Sequence, residues 1–362
     1  PSPAMEATID WSMGSRAAAL VDWGTATQTG RRVGGSGPPT PTVERARMRE
    51  EITEVVPYAE TLIGEFTGLS TAGGFRSRAW LMSRGEWVNA NVNGLQRLLE
   101  PLAARVLPEG APRSDLRRKA LGAQIGALLG YVSRKVLGQY DAFLPPDDDG
   151  VLYFVGPNLV EIERRFEVPR RDFRLWVAIH EVTHRVQFGA TPWLRPHLEG
   201  LIGRYLETVQ IDSREVLSQL RRAAEAIRSG ADWRGMNGIL LIMNDEQRAL
   251  FSRMQALMTL LEGHATFVMN AVAEGRVDDL DRMRNALRDR RRSRGGVEKV
   301  FQQAIGFETK VKQYATGERF VRSVVAEAGM DGLNRVWSDE ANLPSPEEIG
   351  DPARWVGRVA RG

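Results

Sequence analysis

Apolar side chains recur at intervals of three and four from Thr42 onward, and this pattern predicts a mainly α protein. Ile52, Val55, Val56, Ala59, Leu62, Ile63 and Phe66 line one face of a first amphipathic helix, with a kink expected at Pro57. Trp80 to Val106 reads as one or two further helices, closed by Leu107-Pro108-Glu109-Gly110. The next starts at Ser114 and runs to about Gln139. It carries Gly122, Gly126 and Gly130 four residues apart, a smooth stripe that lets a neighbouring helix come close. Val151–Val155 is the clearest strand candidate. Helical patterns then fill 170–188 and, roughly, 198–229, 239–274, 278–292 and 297–328, before a tail from Gly329 that is irregular or has short helices. Residues 1–42 show little periodicity and end in Gly34-Gly35-Ser36-Gly37-Pro38-Pro39. They are expected to be poorly ordered, with at most a short helix over Ile9–Val21. The rest, 43–362, is expected to form a single large helical domain, divisible into sub-lobes 43–145 and 146–362.

The helix over 170–188 is the most informative. Pro169 stands where a first-turn proline would, and no further Pro or Gly interrupts the run before Gly189. Phe173, Trp176, Val177, Ile179 and Val186 are spaced for burial over much of its surface. Yet this apolar helix holds His180-Glu181-Val182-Thr183-His184, using two of the four histidines in the chain. Positions i and i+4 share one helix face, so both imidazoles can reach one metal ion. Glu181 is offset by about 100° and is placed to take a proton from a water held there. Composition alone would produce the pattern in about 0.3% of random chains. The alternative is a buried helix whose histidines are merely hydrogen-bonded. Two histidines on one buried face are harder to satisfy than one, because each needs partners for both ring nitrogens.

Catalytic zinc usually takes three protein ligands. The metzincin continuation would need Gly at 187 and His at 190, where this chain has Gln187 and Ala190. The gluzincin pattern takes a Glu from a downstream helix, and Glu199, Glu207, Glu215 and Glu262 are candidates, with His197, Asp212 and His264 as outsiders. Glu262 is favoured. It lies within an apolar helix whose stripe is Leu250, Met254, Leu257, Leu261, Ala265, Val268 and Val272. A Glu, a Gly and a His in mid-stripe are locally unfavourable, and such violations concentrate at functional sites. Glu262 and His264 are about 200° apart on the helix, so both can hardly bind one ion. Glu207 is the main competitor, at a separation from His184 common in gluzincins, although a surface charge explains it as well.

Composition narrows the chemistry further. The absence of cysteine excludes disulfides, thiol catalysis and cysteine-bound zinc, leaving His and carboxylate as the ligand set. No run of eighteen apolar residues and no basic-then-apolar leader predicts a membrane span or signal peptide, and the expected location is cytoplasmic. The net charge of +3 hides a skew towards arginine, densest at Arg288–Arg294. That run contains Asp289, lacks aromatic residues and leads into Gly295-Gly296, so a solvated helix end is favoured over a nucleic-acid contact. Asp147-Asp148-Asp149-Gly150 has consecutive rather than alternating acids and reads as a turn, not a calcium loop.

Three segments carry a family resemblance: Trp176 to Phe188 around the histidine motif, Val136-Leu-Gly-Gln-Tyr-Asp141, and Leu261-Glu-Gly-His-Ala265. Together they resemble a bacterial family of zincin-like hydrolases labelled as associated with biosynthesis of the deazaflavin coenzyme. The likeness runs from about residue 43 to Pro352-Ala-Arg-Trp355. It implies a helical zinc metallohydrolase with ligands His180 and His184 and base Glu181. Leu261–Ala265 is also similar to a Glu-Gly-aromatic-Ala motif of helical carboxypeptidase-like gluzincins, where the Glu is the third ligand, and this supports Glu262. The expected function is therefore Zn2+-dependent cleavage of a peptide or other amide substrate. Glu181 is the expected general base and His264 the expected oxyanion stabiliser, with Tyr205 or Tyr314 behind it. A non-catalytic zincin-fold accessory protein is the alternative, against which an intact Glu181 argues. No nucleic-acid or membrane partner is expected.

Overall fold

The structure, a computed structural model, describes residues 17–71, 77–106, 114–141, 151–208, 243–292 and 307–361. In chain order the α-helices of the described residues are α1 (Ala17–Leu20), α2 (Trp23–Gly34), α3 (Thr42–Thr67), α4 (Arg84–Val106), α5 (Asp115–Ser133), α6 (Gly156–Phe166), α7 (Arg170–Ala190), α8 (Leu194–Thr208), α9 (Asp245–Ala273), α10 (Leu280–Arg292), α11 (Phe307–Asn334), α12 (Pro346–Gly350) and α13 (Pro352–Trp355). The strands are β1 (Arg78–Met82), β2 (Gly138–Asp141) and β3 (Val151–Val155). The fold is mainly α, as the periodicity predicts. The chain divides into two compact units, each assembled from separated segments rather than from the contiguous sub-lobes expected. Hydrophobic period marks an element's buried face but not which distant element covers it.

The first unit comprises Pro1–Pro39, Met82–Val136 and Val155–Asn158. Its α2 lies in the segment expected to be poorly ordered. Thr- and Gly-rich, it has weak helix propensity of its own. Two features fix it. The Asp22 carboxylate caps the helix by accepting the Thr25 N–H at 2.7 Å. The glycine stripe of α5 then meets its backbone: a Cβ at Gly122, Gly126 or Gly130 would lie 2.3, 2.2 or 2.5 Å from the carbonyl oxygens of Asp22, Ala26 and Gly30. Backbone cannot move aside as a side-chain tip can, so these positions require glycine. Nearby, buried Arg84 donates to Asn158 Oδ1 at 2.7 Å and to the Gly34 carbonyl at 3.3 Å, and Asn158 donates to the Ser133 carbonyl at 2.7 Å. Helix α5 stops at Ser133, short of the expected Gln139, because Gly138–Asp141 is a strand.

The second unit comprises Thr40–Leu81, Leu137–Phe154 and Leu159–Gly362. Its sheet has the order β1-β3-β2, with β2 antiparallel to β3 in the register Gly138↔Phe154 and Tyr140↔Leu152. Only β3, entirely buried and apolar, was legible as a strand. Trp80 belongs to β1 rather than to a helix, and a five-residue strand with partly exposed side chains leaves little pattern to read. Helix α3 continues through Pro57 and ends at Gly68, whose φ of 71° is the left-handed turn glycine favours.

Helix α7 is buried almost all round, between α3 on one side and α9 on another. Its buried arginines are paired. Arg174 binds Glu163 at 2.8 Å and also Glu51, and Arg185 binds Glu60 at 2.7 Å. In α9 the expected stripe of Leu250, Leu257, Leu261, Ala265, Val268 and Val272 is buried, and its seventh member, Met254, is half-buried. Length and composition would let α9 cross a membrane, but most of it lies inside the protein, as a core helix does. Gly263 admits α11, since a Cβ there would fall 2.2 Å from the carbonyl carbon of Gly317. One residue along a helix turns the side chain by about 100°, so Gly263 and Glu262 address different neighbours.

Candidate metal centre

On α7, His180 and His184 project from one face, their rings perpendicular with centroids 4.9 Å apart. Across from them α9 presents Glu262. Its Oε2 lies 3.5 Å from His180 Nε2 and 3.6 Å from His184 Nε2. One donor atom from each of the three residues fits within a span of 4.8 Å. All three side chains are largely buried, with 13–17% exposure. Buried Glu262 Oε2 has no hydrogen-bond partner. The two contacts are too long for good hydrogen bonds. They match the edge of a tetrahedron around zinc, about 3.4 Å when each ligand lies about 2.0–2.2 Å from the ion. A buried carboxylate oxygen set between two imidazoles is costly unless a cation compensates it, whether a metal ion or, without one, a protonated His184. Two imidazole nitrogens and a carboxylate oxygen are also the donors zinc takes, so the residues present fit the ion.

Glu181 is turned elsewhere. Its carboxylate accepts the backbone N–H of Tyr140 in β2. A Cβ at Gly138 would lie 2.5 Å from Glu181 Cγ, so only glycine lets β2 lie this close. Burial pushes the Glu181 carboxyl up from its ordinary range, and the Glu262 charge adds to this; the two histidines and the Tyr140 N–H offset part of it. For His184, burial is the largest influence and lowers the pKa. Glu262, Glu181 and Gln187 outweigh it and raise His184 to about 9. Burial likewise raises Glu262, but the two histidines reverse the sign and hold its carboxyl well below the usual range.

His264 does not take the place expected of an oxyanion stabiliser. It is fully buried, its Nδ1 lies 2.9 Å from Gln187 Nε2, and its ring packs edge-on against Trp337. Burial, with the neighbouring His184 charge, lowers its pKa to about 3. The angle from Glu262 sends its side chain away from the metal face, and Gln187 of α7 occupies that direction. Tyr205 packs on Phe251, which precedes Glu262 by about 16 Å of helix axis. The competing ligands are dispersed too. Glu199 and Glu207 are exposed, and His197 binds Glu340 at 2.8 Å. Asp147-Asp148-Asp149-Gly150, Asp212 and Glu215 lie outside the described residues, as do the side chains of Tyr314 and most of the Arg288–Arg294 run.

Gly138, Tyr140 and Gln187 were not singled out as site residues. Gly138 within a strand is a signal of close backbone approach. Tyr140 packs on Phe188, with ring centroids 5.5 Å apart, and Phe188 continues the i, i+4 stripe of His180 and His184. Tyr140 therefore lies against the turn that follows His184, and its hydroxyl accepts from Arg195 at 3.3 Å.

A histidine pair one turn apart, faced by a glutamate from a second helix, defines a class: metal-dependent proteins of the zincin type. The chain belongs to the zincin-like metallopeptidase family, whose profile matches residues 21–356. It is similar to a crystal structure from Chloroflexus aurantiacus described as "a putative hydrolase with a novel fold". The two share 32% sequence identity with a TM-score of 0.69, covering 94% of this chain and 98% of that one. No curated protein matches the chain.

Proposed function

We propose that this protein is a zinc-dependent hydrolase of amide bonds, with a peptide as the favoured substrate. The observation that carries the reading is the unpartnered Glu262 oxygen at tetrahedral spacing from His180 Nε2 and His184 Nε2. Family membership and the hydrolase description of the similar structure support it. Zn2+ held by these three residues would supply Lewis acidity, polarising a carbonyl and acidifying a water. Glu181 is the general base that takes the proton from the attacking water and returns it to the leaving amine. Its raised pKa brings it closer to neutrality, where proton transfer in both directions is efficient.

Tyr140 takes the role expected of His264, stabilising charge on the carbonyl oxygen. Burial raises its pKa and keeps the hydroxyl protonated, and the bond from Arg195 leaves its own proton to donate. The preference for a peptide rests on membership of the zincin-like metallopeptidase family. A cytoplasmic location belongs to the same reading, whereas the deazaflavin association has no counterpart among the described residues.

The test is Glu181→Gln. It should retain one zinc per chain and the wild-type fold while hydrolysis in a broad peptide and amide screen falls by about 10²–10⁴-fold. Loss of zinc with retained turnover would make Glu181 a ligand and refute the mechanism.

A further inference from the structure

Gln187 is buried on α7 one turn beyond His184, and its amide makes three contacts. Oε1 is 2.9 Å from His184 Nδ1, while Nε2 is 3.0 Å from the Leu261 carbonyl and 2.9 Å from His264 Nδ1. The Leu261 carbonyl can only accept, so the amide group facing it must be the NH2. This fixes the other contact. Oε1 faces His184 Nδ1, which must therefore carry a proton and donate it. In the neutral ring, the form that binds a metal, the lone pair of His184 then sits on Nε2, the atom that faces Glu262. The second amide proton goes to His264 Nδ1. Leu261 and His264 flank Glu262 on α9, so the same amide that sets the tautomer on α7 also holds the segment that carries Glu262.

We infer that Gln187 is a positioning residue of the metal centre, setting the His184 tautomer and locking α9 so that Glu262 meets the two histidines. His264 completes the lock as the acceptor for the remaining amide proton. This rests on the zinc reading of His180, His184 and Glu262. It goes beyond that reading by assigning work to two residues that touch neither metal nor substrate. Partners of this kind, bonded to a ligating histidine, typically change metal affinity by about 10–100-fold when removed.

The experiment measures Zn2+ affinity of the full chain by competition with a chromophoric chelator. In parallel it follows the His184 ring N–H proton by NMR of the zinc-loaded protein and the unfolding midpoint of the chelator-treated protein. Wild type should bind one zinc and show a slowly exchanging ring proton; failure to bind zinc would overturn the metal reading itself. Gln187→Leu should lose about 10–100-fold in affinity together with the ring-proton signal. Gln187→Glu keeps an acceptor for His184 but sets an oxygen against the Leu261 carbonyl. It should keep the ring proton and still bind zinc more weakly, and it stands alone as the test if Gln187→Leu fails to fold. Wild-type zinc affinity in either variant would overturn the inference. So would a loss of affinity that only tracks a lowered unfolding midpoint.

Discussion

Two helix crossings in this protein are differently made. Helices α2 and α5 meet through bare backbone, with Gly122, Gly126 and Gly130 set against the carbonyls of Asp22, Ala26 and Gly30. Helices α7 and α9 meet through polar side chains: Glu262 reaches towards two histidines, and Gln187 spans to Leu261 and His264. The first crossing is made mainly by packing of backbone on backbone, with one hydrogen bond from the Asp22 N–H to the Arg118 carbonyl at 3.2 Å. The second leaves the Glu262 oxygen without a partner. A protein that needed only close helices has shown at α2–α5 that glycine suffices. The cost accepted at α7–α9 is the kind of violation that concentrates at functional sites, which supports the zinc reading.

The largest effect should come from removing a ligand. His180→Ala or His184→Ala should abolish stoichiometric zinc, because two remaining donors hold a divalent ion poorly. Elemental analysis showing one zinc per chain in both variants would remove the site from α7.

The glycine crossing should respond in the opposite sense. Gly126→Val must displace backbone that a Cβ already approaches to 2.2 Å, at a cost of about 1–3 kcal/mol or more. Its chemical denaturation midpoint should fall while zinc content stays at one per chain. If zinc were lost instead, the two crossings would not be independent. Gly138→Ala lies between the cases. Its Cβ would meet Glu181 Cγ at 2.5 Å, so turnover should fall by about tenfold or more with zinc retained, and equal turnover would show that Glu181 needs no such precise seat.

The mildest test is pH. The charges around His184 raise its pKa from 6.5 to about 9, so a bound proton competes with zinc below that value. Apparent zinc affinity should rise about tenfold per pH unit up to about 9 and then level off. The fold responds with the opposite sign. The protonated His184 stabilises the chelator-treated protein fully below 6.5, and that contribution is lost as pH rises through about 9. A zinc affinity flat between pH 6 and pH 9 would place a different group on the metal.

What the sequence made legible follows from how local each signal is. The His180–His184 pair is readable because its geometry is set by one helix turn, and Glu262 because a carboxylate breaks an apolar stripe. The helix angle also correctly separated His264 from Glu262. It could not say that Gln187 of another helix would be waiting in that direction, and so His264 received the wrong neighbour. Strand β2 reads Gly-Gln-Tyr-Asp, with no alternation to announce it, and its identity depends on pairing with β3. Helix α2 was missed for a similar reason. Its Thr and Gly residues form a helix because α5 offers them a glycine groove, and nothing within the segment records the groove.

One measurement tests the central claim most directly: anomalous scattering at the zinc edge from crystals of the zinc-loaded protein. The account predicts one strong peak per chain within about 2.0–2.2 Å of His180 Nε2, His184 Nε2 and a Glu262 carboxylate oxygen, with Glu181 outside that distance. A peak bound by Glu207, Glu199 or His264 in place of Glu262, or no peak between the two histidines, would contradict it.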